Sequence, residues 1–181
     1  MKKRIKNICI LVIMTMIIAF SATPAAAKTI SKSTLKKVYK SWLIKHDYDL
    51  DYSTLTFVDI DKNGVIEAIC QGNSIDACLL TYNKSKRKVV IVKRGTEGKV
   101  YSPFSYNKKK HMFASCGASR WDEWATFYKL KGKKAIQKKY FYTDYEVYKV
   151  NGKNVSASSY QRQFEAAKKG FKGGWFPYSN H

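Results

Sequence analysis

Between Ser33 and His46 the apolar residues Leu35, Val38, Tyr39, Trp42 and Leu43 recur at helical spacing, with Lys36, Lys37, Lys40 and Lys45 on the other side. The pattern predicts an amphipathic helix over 33–46, capped by Ser31 or Ser33 and ended by Asp47-Tyr48-Asp49. After Leu50 the period shortens to two, and β-rich runs alternate with turn residues. Strands are predicted over 54–60, 65–70, 77–82, 88–93, 100–106, 111–116, 124–130 and 135–142. Their separators, from Asn63-Gly64 to Lys131-Gly132-Lys133, are short, which makes consecutive strands antiparallel. A last run, Tyr145 to Val150, turns at Asn151-Gly152 and leads through Val155 into a second helix. There Ser158 and Gln161 predict a capping box, Tyr160, Phe164 and Ala167 a buried stripe, and Gly170 the residue after the end. The tail from Phe171 to His181 predicts no regular element. The expected fold is α+β: an N-terminal helix, a mostly antiparallel β-meander of about eight strands in one sheet, and a C-terminal helix.

Residues 1–27 follow a different rule. Lys2, Lys3, Arg4 and Lys6 precede an apolar block from Ile8 to Phe20, and Ser21 to Ala27 closes the segment with an Ala-x-Ala site. This predicts a secretory signal peptide. The block holds 13 residues, short of the roughly 20 that span a bilayer as a helix. Cys9 sits at the start of the block, not at the cleavage point, so no lipid anchor is predicted. The expectation is a signal peptide over 1–27 and a single secreted α+β domain over 28–181, soluble and extracellular or associated with the cell surface.

Removing that segment takes away four basic residues and no acid, leaving 30 Lys or Arg against 13 Asp or Glu and a net charge of +17. Such an excess concentrates polyanions near the protein and says nothing about its fold. For an exported chain the anions at hand are wall teichoic acids, anionic lipid headgroups and acidic polysaccharides, and an anionic cell-wall polymer is the expected partner; nucleic acid is not. The basic runs at 84–88, 108–110, 131–134, 138–139 and 168–172 are scattered, most of them at predicted turns, which favours solvated turns and strand edges guarded by lysine.

The stretch from Asp59 to Glu67, Asp-Ile-Asp-Lys-Asn-Gly-Val-Ile-Glu, sets oxygen-bearing side chains at alternate positions around one turn. With Asp59 as the first position, oxygens fall at Asp59, Asp61, Asn63 and Glu67, with the Val65 carbonyl as a fifth and Gly64 at the sharp bend. That spacing suits a small hard cation, with calcium the expected cofactor and a structural role for it. An EF-hand needs a glutamate where this chain has Cys70, so that motif is excluded. The stretch resembles the Asp-rich β-hairpin calcium loops of integrin-type propeller blades, with Asn63 and Glu67 departing from the commonest Asp. A competing reading is a type I′ turn at Asn63-Gly64 with polar flanks. More broadly, the loop, the β-meander and Tyr148 to Ser156 (Tyr-x-Val-Asn-Gly-Lys-x-Val-Ser) before a terminal helix resemble a group of small secreted bacterial proteins of uncharacterised function. That resemblance implies a fold and a location but no activity.

Other candidate chemistry is sparse. His46, His111 and His181 form no metal pair, and His111 and Cys116 fall on opposite faces of one strand. Of the cysteines after residue 27, Cys70 and Cys78 flank a seven-residue segment across which they could pair, and Cys116 makes the count odd; buried free thiols fit as well. Ser119 to Trp124 gathers two indoles, Arg120 and two carboxylates, which suits sugar stacking and glycosidase work. Adjacent Asp122 and Glu123 point apart, however, and core or edge packing of the indoles is favoured. The functional expectation is a secreted non-enzymatic protein that binds calcium through one hairpin and associates with anionic surface polymers. The alternative is a small secreted hydrolase acting on polysaccharide or cell wall through the Trp121 to Trp124 loop.

Overall fold

In the computed structural model, which describes residues 30–51, 53–72, 77–95, 104–119, 121–144 and 146–173, the first element is the helix α1 (Lys32–Lys45). Its buried stripe is Leu35, Tyr39 and Leu43, as the period requires. Residues 1–27, 100–103 of the fifth predicted strand, Arg120, and the tail beyond residue 173 lie outside the described residues.

Four strands follow, β1 (Thr54–Val58), β2 (Glu67–Gln71), β3 (Cys78–Asn83) and β4 (Lys88–Arg94), hydrogen-bonded in chain order as one antiparallel sheet. The second sheet contains β5 (Phe104–Asn107), β6 (Met112–Ala118), β7 (Asp122–Lys131), β8 (Lys134–Asp144), β9 (Val147–Val150) and β10 (Lys153–Asn154). After the helix α2 (Ala157–Lys168), a two-residue strand β11 (Lys172–Gly173) returns to pair with β5. The order in this sheet is β10-β9-β8-β7-β6-β5-β11, antiparallel throughout.

Among the described residues the chain forms two helices and antiparallel sheets and is mostly β; the expected single sheet of about eight strands becomes two sheets, and the tail adds a strand where none is predicted. The cause lies in β2 and β3. Ile69 and Leu79 join Val58, Ile60, Phe104, Phe113 and Leu130 in one core cluster, so the two sheets pack on each other. Their neighbours Ala68, Cys70, Cys78 and Leu80 are fully buried too. A strand covered on both faces reads as a continuous apolar run, and that run does not say whether a helix or a second sheet covers it.

Against the seven-stranded sheet lies α2, through a cluster of aromatic rings. Phe141 meets Tyr160 and Phe164 edge-on at 5.5 and 5.2 Å, and Phe127 meets Phe164 at 6.4 Å. The helix starts earlier than Ser158 predicts: Ser156 is the cap, its hydroxyl accepting from the Ser159 N–H at 3.3 Å. Ser156 offers the same three-residue reach, and its carbonyl already takes the Tyr160 N–H at 2.9 Å, so the Ser158–Gln161 capping box is not used. Gly170 follows the helix with φ +80, as expected. Among the described residues no helix is long and apolar enough to cross a membrane.

Candidate metal site

β1 ends at Val58 and β2 begins at Glu67, so the segment between them is a wide loop, 59–66. A type I′ turn at Asn63-Gly64 needs positive φ at both residues. Positive φ instead falls on Lys62 (59°) and Gly64 (79°), so that turn does not form. The loop curls around its own carboxylates. Asp59 accepts the Asn63 N–H on Oδ1 and the Gly64 N–H on Oδ2, both at 3.1 Å, while the Asn63 Oδ1 accepts the Val65 N–H at 2.7 Å. These are local side-chain-to-backbone bonds that Asp and Asn supply where the ladder cannot.

Asp61 faces the rest of the molecule. Its Oδ2 accepts the Gly132 N–H from the β7–β8 turn at 2.6 Å, and its Oδ1 takes the Asn63 N–H at 3.3 Å. Its main-chain oxygen lies 2.8 Å from Nδ1 of His111, at the end of the β5–β6 turn. A carbonyl only accepts, so the His111 ring carries a proton on Nδ1. One residue of the four-stranded sheet's hairpin is thereby held by two turns of the other sheet.

Glu67 is fully buried. Its Oε2 accepts the Ile60 N–H at 2.8 Å and its Oε1 the Thr81 hydroxyl at 3.2 Å. Burial pushes its carboxyl up to about 8, and the negative charges of Asp61 and Asp59 push the same way, against the Ile60 N–H and the Thr81 hydroxyl, which pull it down. Tyr39 backs the loop by donating to the Ile66 carbonyl at 2.7 Å. Burial, with the charge of Glu67 behind it, raises the Tyr39 phenol, so it stays a neutral donor.

Oxygen atoms of Asp59, Asp61 and Glu67 all lie within 4.8 Å of one another, and this group can hold a metal ion. Of the five predicted ligands, these three are brought together. Asn63 turns its oxygen to the Val65 N–H, and Val65 itself is buried at the loop's return to β2. Sequence reasoning missed Thr81, Gly132, His111 and Tyr39, which hold the cluster from outside the loop. No local pattern marks them, because their part is set by how the sheets meet. Comparison with protein-family models, with curated proteins and with solved structures finds no match, so the site is read from its own geometry.

The Trp121 to Trp124 loop is packed on itself. Ser119 donates from its hydroxyl to the Asp122 carboxylate and accepts the N–H groups of Trp121 and Asp122 at 3.2 and 3.1 Å. Trp124 lies over Gly117, its cross-strand partner, so closely that a Cβ there would come within 1.7 Å of the ring. Asp122 opens β7 directly opposite Asp144 of β8, and Glu123 points to the other face. Only the indole of Trp121 is largely exposed. His111 and Cys116 stay apart in function: His111 binds the Asp61 carbonyl, and Cys116 sits in the core with Phe127 and Phe141.

Proposed function

We propose that this chain is a secreted, non-enzymatic module that associates with an anionic cell-surface polymer and whose β1–β2 loop is pinned by calcium. The convergence of the Asp59, Asp61 and Glu67 carboxylates carries the reading. Each carboxylate offers an oxygen within 4.8 Å of the others, and calcium, which takes oxygen ligands in a flexible geometry where magnesium demands a near-ideal octahedron, suits a set held by the fold. Every carboxylate oxygen already has a donor, yet each keeps a further lone pair, and a cation relieves the repulsion that N–H groups only soften. The role is structural, since the loop brings no nucleophile or base alongside the ion.

The partner is argued from where lysines gather. Three basic runs that are distant in sequence meet around the C-terminal end of α2. Lys108, Lys109 and Lys172 line an open cleft of about 420 Å³ beside Gly170, and Lys110, Lys138 and Lys139 line a neighbouring one of about 330 Å³. Lys110 reaches over to the Lys169 carbonyl at 3.3 Å. Lys168 pairs with Glu165 at 3.2 Å on this face, where Glu165 is outnumbered by the lysines that line the two clefts. Such a face suits a flexible chain of repeating phosphates or carboxylates, which docks through many screened contacts.

Calcium is tested by thermal melting of the protein across calcium concentrations and in chelator. At ten times a Kd of about 10⁻⁴ to 10⁻³ M, the range of extracellular modules, binding adds about 1.4 kcal/mol, a rise of a few degrees. Asp59→Asn/Asp61→Asn should abolish the rise. Equal melting in calcium and in chelator refutes the calcium reading.

A further inference from the structure

Cys70 and Cys78 face each other across β2 and β3. They are directly opposed residues in the antiparallel ladder, on its last rung before the connection between the strands. Both thiols are fully buried and neither is in a disulfide. Directly opposed residues have Cα atoms roughly 4.5–5.5 Å apart, inside the window of about 4.4–6.8 Å that a disulfide requires. The side chains share a face and approach closely enough for one thiol to hydrogen-bond the other. From this register we propose that Cys70 and Cys78 are a redox pair that closes to a cross-strand disulfide when the protein meets an exchangeable disulfide.

The chemistry is two successive exchanges. The thiolate of one cysteine attacks the incoming disulfide, forming a mixed disulfide and releasing one thiol. The second cysteine then attacks the protein sulfur of that mixed bond and releases the other thiol. The two cysteines lose two electrons, the incoming disulfide gains them, and the two cysteine protons leave on the released thiols. Access is set by the fold. Hydrogen bonding with Cys70 and burial both push the Cys78 thiol up, which makes its thiolate scarce while the strands are closed. Access therefore needs a local opening of the strands around the pair, since Cys70 is also paired with Leu55 of β1 and Cys78 with Arg94 of β4. A polar path also leads outward: Tyr48 contacts the Cys78 thiol, and the exposed Arg94 donates to the Tyr48 hydroxyl at 3.2 Å.

Closure would staple the strand pair that presents the metal cluster, since Glu67 and its donor Thr81 each lie three residues from one of the cysteines. The redox pair does not depend on that cluster binding an ion. Cys116, buried in the core of the other sheet, serves as an internal reference.

The test is to equilibrate the reduced protein with oxidised glutathione, quench in acid, alkylate in denaturant, and map the peptides by mass. The expected product joins the Cys70 and Cys78 peptides, two hydrogens lighter than the sum of the free thiols, with Cys116 alkylated. Full alkylation of Cys70 and Cys78, a stable glutathione adduct on either, or pairing with Cys116 or Cys9 overturns the proposal. The closed wild type should melt higher than the reduced form by on the order of 5 °C and return on reduction. Equal melting of the two forms overturns the stapling role. Cys70→Ser should leave no linked product, and the wild-type mapping stands even if that variant fails to fold.

Discussion

Glu67 makes the stability of the calcium-free protein depend on pH in an unusual direction. Its folded-state value of about 8 lies above the 4.5 of an ordinary glutamate, so the folded protein keeps a proton that the unfolded chain gives up. The contribution is fully present below about 4.5 and is lost as the pH rises through about 8. At about 1.4 kcal/mol for each tenfold change in proton affinity, the span corresponds to a loss on the order of 4–5 kcal/mol. That is a large part of the roughly 5–15 kcal/mol that holds a domain together. Urea unfolding in chelator between pH 5 and 9, on wild type and Glu67→Gln, isolates the effect, because every other titrating group is common to both. The stability of the wild type should fall relative to the variant across that range and level off above about 8. Saturating calcium should flatten the fall, since the ion offsets the negative charge left on the carboxylate once its proton has gone. Parallel pH profiles for wild type and variant would refute the claim that this carboxyl is protonated in the fold.

Three further outcomes are expected. Gly117→Ala drives a methyl into the Trp124 ring and should cost roughly 1–3 kcal/mol, much of it recovered in Gly117→Ala/Trp124→Ala; a double-mutant cycle by denaturant unfolding reads the coupling. Ser156→Ala removes the cap of α2 and should cost about 1 kcal/mol, whereas Ser158→Ala should cost little, a contrast that chemical unfolding resolves. Lys108→Gln/Lys109→Gln/Lys172→Gln should weaken co-sedimentation with purified cell walls and flatten its salt dependence, while Lys84→Gln/Lys86→Gln on the β3–β4 turn should not. Wall binding that fails at low salt, or persists unchanged at high salt, removes the electrostatic partner.

What the sequence disclosed follows from the range of each interaction. The stripe of α1 and the alternating carboxylates of the loop are patterns within one turn or one bend, and both are legible. The donors to Asp61 are not: Gly132 is 71 residues away and His111 is 50. Their arrival depends on two sheets meeting at one angle, which no local period encodes. The lysine face was hidden for the same reason, as its members come from the β5–β6 turn, β8 and β11. Ser156 rather than Ser158 caps α2, a choice the local pattern leaves open because two serines, two residues apart, carry nearly equal signals.

Asp61, gripped through its backbone by one turn and through its carboxylate by another, constrains how this protein can change over time. Inserting or deleting a residue at that hairpin tip would slide the gripped position out of reach of both turns at once. Loop lengths at three places in the chain are therefore tied together, and the tip of an exposed hairpin, ordinarily the freest place for insertions, becomes one of the least negotiable.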